Sequence, residues 1–136
     1  MALTSTHPSS LSTLYLTALL TSSKLPSLLA LNTQRLTASY NVLTSFLRRH
    51  DIDFVVPTHG LFLFAKLART SASGSMEEED AFWRELEGRG GVKVAPGRGF
   101  NGVEKDGGWA RMRFSVGVDV MEEVVEKLDE FFAKSE

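Results

Sequence analysis

Two arginines one residue apart, Arg111 and Arg113, stand in the stretch Gly107-Gly108-Trp109-Ala110-Arg111-Met112-Arg113-Phe114-Ser115. Strand side chains alternate between faces, so Ala110, Met112 and Phe114 form one apolar face while Trp109, Arg111, Arg113 and Ser115 share the other. A planar guanidinium beside an indole suits two-pronged binding of a carboxylate, which the compact ammonium of lysine does not reproduce. The plainer reading of the same pattern is a pair of exposed strand residues or ion-pair partners.

Other residues of chemical interest are less well placed. The glycines of Pro96-Gly97-Arg98-Gly99-Phe100 let a backbone approach a ligand, yet the stretch lacks the spacing of phosphate-binding loops. His59 precedes Gly60, but spacing puts no nucleophile or orienting acid beside it, and it reads as a turn histidine. His7, His50 and His59 show no metal-ligand spacing. The run Glu77-Glu78-Glu79-Asp80 complements a helix dipole and reads as a solvated helix start without a function of its own. The chain has no cysteine, which removes a thiol nucleophile, a thiolate metal site and a disulfide scaffold.

The elements that must position these residues follow from periodicity. Ser9 or Ser10 caps a first helix with Leu11, Leu14, Tyr15, Ala18 and Leu19 at helical spacing. Pro26 opens a long second helix with Leu29, Leu36, Tyr40, Leu43 and Leu47, ending at the basic Arg48-Arg49-His50. Residues 51–56 read as a strand, 57–60 as a turn, and 61–67 as a strand apolar on both faces that belongs inside a sheet. Residues 70–74 form a small-residue linker. Ser75 and Glu78 then make a capping box for a helix with Ala81, Phe82 and Leu86, stopped by Gly88, Gly90 and Gly91. A short strand at 92–95, a polar loop and the Trp109 strand follow. Asp119 and Glu122 make a box-like cap for a last helix that buries Met121, Val124, Val125, Leu128, Phe131 and Phe132. The expected class is α+β, a small mixed sheet of about four strands packed with helices.

With 136 residues, 43% hydrophobic and 24% charged, the chain supports one compact domain. A formal charge of −2 argues against nucleic acid as a partner. Ser and Thr interrupt the apolar run at Leu11 to Leu20, which fits neither a signal peptide nor a spanning helix, so no membrane partner is expected and a cytoplasmic location is. All 17 acids fall between Asp51 and Glu136. The acid-free amino terminus reads as a helical region that packs on other structure in preference to a transit peptide.

Taken in order, the motifs "GLFLFAKL", "FWRELEGRGGVKVAPGRGF", "GGWARMRFS" and "VEKLDEFF" resemble the carboxyl-terminal part of class I/II aminotransferases. Within them the pattern is most similar to 1-aminocyclopropane-1-carboxylate synthase-like enzymes, which depend on pyridoxal phosphate. The family's G-L-F strand, P-G-x-x-F loop and aromatic-x-R-x-x-F strand are all present, and "NTQRLTASYNVLTSFLRRHDI" resembles the helix linking its large and small domains. The resemblance covers residues 9 to 133. It implies an interdomain-type helical segment over 1–50 and an aminotransferase small domain over 51–136. It also implies that Arg111 holds the substrate α-carboxylate, with Pro96, Gly97 and Phe100 in the loop at the active-site mouth. Arg113 has no general role in the family.

The family's chemistry also needs a Schiff-base lysine, an acid facing the pyridinium nitrogen and a phosphate-binding set, all carried by its large domain. The lysines at 24, 66, 93, 105, 127 and 134 stand outside the S-x-S-K type context. The expectation is a chain with no catalytic, cofactor-binding or metal-binding residue of its own, which binds no pyridoxal phosphate alone and is inactive alone. Its expected partners are a cofactor-binding large domain or a full-length homologue, in a homo- or hetero-oligomer, and an amino-acid-type carboxylate substrate. The alternatives are a non-catalytic carboxylate-binding or regulatory module that docks on a full-length relative, and a stand-alone enzyme using Arg111, Arg113 and His59.

Overall fold

The structure, a computed structural model, describes residues 9–68, 75–100 and 107–134. His7, the linker expected at 70–74 and most of the polar loop before Trp109 lie outside the described residues. The chain divides into two units, Met1–Gln34 and Arg35–Glu136. The sequence groups residues 1–50 as one helical segment, whereas the carboxyl-terminal half of the long helix belongs with the sheet because it carries core residues.

In the first unit, α1 spans Ser10–Leu20 with Ser9 at its N-cap position, where the Ser9 side chain makes no capping hydrogen bond. Leu11, Leu14, Tyr15 and Leu19 recur at the expected spacing, and α1 buries no residue. Helix α2 runs Leu25–Arg49, with Pro26 in its first turn, where a missing amide proton costs nothing.

The second unit is built around a four-stranded sheet. From α2 it takes Ser39, Leu43, Thr44, Phe46 and Leu47 into the interior. The two buried hydroxyls are satisfied: Ser39 donates to the Val116 carbonyl at 2.8 Å and Thr44 to the Tyr40 carbonyl at 2.9 Å. Helix α2 stops at Asp51, which takes a left-handed φ of 51°. The Ile52 and Asp51 amides then donate back to the Leu47 and Arg48 carbonyls, a Schellman closure with Ile52 buried behind it. That closure consumes the start of the strand expected at 51–56, so β1 is only Phe54–Val55.

The remaining elements are β2 (Phe62–Lys66), α3 (Met76–Gly88), β3 (Ala95–Pro96), a 3₁₀ turn at Gly97–Gly99, β4 (Trp109–Arg113) and α4 (Val118–Ala133). The sheet order is β1-β2-β4-β3, which places β2 in the interior as expected. The class is α+β, and every pairing is antiparallel where a mixed sheet was expected. The short connection from Val55 to Phe62 permits only the antiparallel arrangement of β1 and β2.

One sheet face gives Leu63, Ala65, Ala110 and Met112 to a core shared with Leu43, Phe46, Leu47, Leu86, Leu128 and Phe132. Ser75 caps α3 as predicted, its hydroxyl accepting from the Glu78 amide at 3.2 Å. The cap of α4 differs: Gly117 holds that position, and Asp119 sits inside the first turn, where its charge still suits the helix dipole. The strand expected at 92–95 joins the ladder only at Ala95 and continues into Pro96, whose missing amide is tolerated at a sheet edge.

Candidate functional site

Arg111 lies at the middle of β4, with Phe64 of β2 opposite it on one side and Ala95 of β3 on the other. Ala110, Met112 and Phe114 are buried as the alternation requires, so Arg111 and Arg113 point to the opposite face. The same alternation puts Phe62, Phe64 and Lys66 of β2 on that face. It is only partly covered, and Phe62 remains 39% exposed. The apolar character of β2 on both faces thus serves two ends, a core on one side and an aromatic floor on the other.

The guanidinium carbon of Arg111 lies 4.5 Å from the Phe62 ring centre and 4.2 Å from that of Phe100. Phe100 meets Phe64 edge-on, with ring centres 5.7 Å apart. A cation over two aromatic faces is stabilised by their quadrupoles and loses much of its freedom to swing away. Among the described residues no carboxylate pairs with Arg111. The in-plane N–H donors of a guanidinium match the two oxygens of a carboxylate.

The cleft in front of it, about 610 Å³ in volume, is lined by His59, Gly60, Phe62, Phe64, Phe100 and Arg111 among others. A second cleft of about 500 Å³ opens where β3 leaves β4, walled mainly by Val92, Val94, Val116, Val120 and Val124, with Arg113 and Arg111 at its edge. The first cleft holds both rings that lie against Arg111.

Of the loop residues singled out in the sequence, Phe100 lines this cleft, and Pro96 and Gly97 do not. Gly97 is buried against β4, and a Cβ at this position would lie 2.8 Å from the Trp109 carbonyl oxygen and 2.9 Å from the Trp109 Cβ, so only glycine fits. Pro96 is exposed at the sheet edge, and Phe100 emerges from the 3₁₀ turn to reach Arg111. His59, whose Nδ1 is 3.1 Å from the Thr58 hydroxyl, borders the cleft. Arg113 is exposed opposite Phe62 and has no carboxylate partner among the described residues. His50 faces another region, where it and Arg49 both bind Asp129. There, burial pushes the Asp129 carboxyl up, but the hydrogen bonds and charges of Arg49 and His50 outweigh it and hold the group below its ordinary value.

Glu79 does not sit in water at a helix start as the sequence suggests. It is 1% exposed, its Oε2 accepting from Arg98 Nε at 2.6 Å and its Oε1 from Trp83 Nε1 at 3.2 Å. The only signal for it was a tryptophan four residues on, hidden within an acidic run. Among the described residues no group of histidines and acids could hold a metal ion.

The family model for aminotransferases of class I and II matches residues 1–128. The chain belongs to this family. A probable aminotransferase, aclI, from Aspergillus oryzae is 38% identical over 129 residues, covering 95% of this chain and 30% of the relative. The trimodular acetylaranotin synthesis protein ataIMG of Aspergillus terreus is 41% identical over 92 residues, 68% of this chain and 10% of that protein. The chain therefore spans less than a third of either relative. Solved aminotransferases share the fold. One from Mycobacterium tuberculosis superposes with a TM-score of 0.66 at 22% identity, over 83% of this chain and 28% of its own. An aromatic aminotransferase from Pyrococcus horikoshii gives 0.68 at 17% identity, over 85% and 29%.

Aminotransferases of this family work with pyridoxal phosphate, and the described residues do not assemble its donor set. Lys93, Lys127 and Lys134 each hold a glutamate at the surface, and among the described residues no lysine lines the cleft in front of Arg111. No single described helix is long and apolar enough to cross a membrane.

Proposed function

We propose that this aminotransferase chain is a carboxyl-terminal, small-domain segment that supplies the substrate α-carboxylate site to an active centre completed by a cofactor-binding large domain. Within the family, the order of G-L-F, P-G-x-x-F and aromatic-x-R-x-x-F motifs favours the 1-aminocyclopropane-1-carboxylate synthase-like branch. The observation that carries the reading is Arg111: a half-buried guanidinium held by Phe62 and Phe100 on a cleft wall, with no acidic partner among the described residues. Phe100 lines that cleft, on a turn that Gly97 packs against β4, and the resemblance assigns Pro96, Gly97 and Phe100 to the loop at the active-site mouth. The large domain supplies the pyridoxal phosphate and the lysine that binds it, and the chain alone is inactive. The exposed leucines of α1 and of the first turns of α2 form the apolar surface on which such a partner docks.

The test co-expresses the chain with the remaining part of the Aspergillus oryzae relative and measures half-saturation by the standard amino acids. Arg111→Lys keeps the charge but loses the planar fork. Affinity falls by about one to two powers of ten, taking ~1.5–3 kcal/mol for a hydrogen bond to a charged group. Arg113→Lys has a much smaller effect. Equal losses, or a larger loss at Arg113, overturn the assignment.

A further inference from the structure

A buried carboxylate is costly unless it is fully partnered, and removing one partner of such a pair leaves an uncompensated charge. Glu79 is such a group, and its partners point toward the Arg111 cleft. Arg98, which donates to it at 2.6 Å, stands in the 3₁₀ turn two residues before Phe100. The Phe100 amide closes that turn on the Gly97 carbonyl at 2.8 Å, so the backbone between Arg98 and Phe100 has little slack. Gly97 is locked against Trp109, and the Glu79 carboxylate also abuts Gly107 at the entry to β4, where a Cβ would lie 3.3 Å from Oε2. Trp83, one turn along α3, fixes the other carboxylate oxygen. One side chain on α3 thus holds the loop that carries Phe100 and lies beside the approach to the strand that carries Arg111.

We propose that Glu79 is a positioning residue for the carboxylate site: by holding Arg98 it sets the Phe100 ring against the Arg111 guanidinium and presents that arginine pre-oriented. The inference rests on Arg111 being the carboxylate-binding group. Pre-orientation matters because immobilising a long side chain on binding costs about 0.5–1.5 kcal/mol, so its loss weakens a carboxylate by about two- to tenfold.

The experiment uses the 136-residue chain, with acetate as the probe at constant ionic strength. The Arg111 Nε–Hε resonance reports its place over the two rings, and Phe100→Leu marks where that resonance goes when one ring is lost. In Glu79→Gln the resonance moves toward the Phe100→Leu position and acetate binds about two- to tenfold more weakly. Arg98→Lys retains the charge on Glu79 and keeps most of both signals. A purely structural role predicts a lower melting temperature with the Arg111 resonance and acetate affinity unmoved, and that result overturns the proposal. Should Glu79→Gln fail to fold, Arg98→Gln carries the same expectation and the same refutation, since the Arg98 side chain is one-third exposed and can meet water. If the wild-type chain takes no acetate, the carboxylate reading of Arg111 fails, while the resonance comparison still decides the role of Glu79.

Discussion

The two units spend their leucines in opposite ways. In the first, Leu11, Leu14, Leu19 and Leu28 are all more than half exposed, and α1 buries nothing. In the second, Leu43, Leu47, Leu63, Leu86 and Leu128 are 1% exposed or less. Both sets follow helical or strand periodicity, so pattern alone does not tell a core from a docking face. A stripe becomes core only when the fold brings another apolar surface to meet it. The sheet does this for the carboxyl-terminal half of α2, and no described residue of the first unit does it for α1.

Substitution at matched apolar positions breaks or confirms that contrast most directly. Phe46→Ala removes a fully buried ring and costs about 3–5 kcal/mol of stability. Leu14→Ala, at 66% exposure, changes it by less than about 0.5 kcal/mol. Chemical denaturation of both variants is the measurement, and a comparable loss at Leu14 would mean that α1 is part of the cooperative fold.

A smaller effect is expected at Gly97. Alanine there forces backbone and Trp109 to move apart, at about 1–3 kcal/mol, and displaces Phe100 from Arg111. Retention of the native Arg111 resonance in Gly97→Ala would separate the tight packing of the loop from the order of the site.

The exposed stripe itself predicts association. Light scattering should show the chain self-associating as concentration rises, and Leu14→Glu with Leu19→Glu should return it to a monomer without lowering its melting temperature. Monomeric behaviour of the unaltered chain at every concentration removes the argument for a docking face.

The gentlest test is pH. The folded state holds the Asp129 carboxyl below its ordinary value of 3.8, so its contribution to stability is complete above that value and is lost as pH falls through the lower folded value. Replacing Asp129 by Asn should flatten this acid limb. Because Asp129 joins α4 to the end of α2, the change should appear in the sheet unit and leave the helicity of α1 untouched.

The alternation in Trp109–Arg113, the helical periods of α2 and α4 and the cap at Ser75 were written in local order, because strand and helix geometry is fixed by neighbours a few residues away. Three motifs at compatible spacing carried the family resemblance and singled out Arg111, Pro96, Gly97 and Phe100 for the same reason. What sequence could not settle was which residues meet across the chain. The antiparallel register sets Arg111 opposite Phe64 and within reach of Phe62, and the fold buries Glu79 and brings Arg98 to it from nineteen residues away. An acid in a run of four and a phenylalanine in an apolar strand look alike in sequence whether they face water, core or ligand. Burial is a property of the partner surface, and only the tertiary structure supplies that partner.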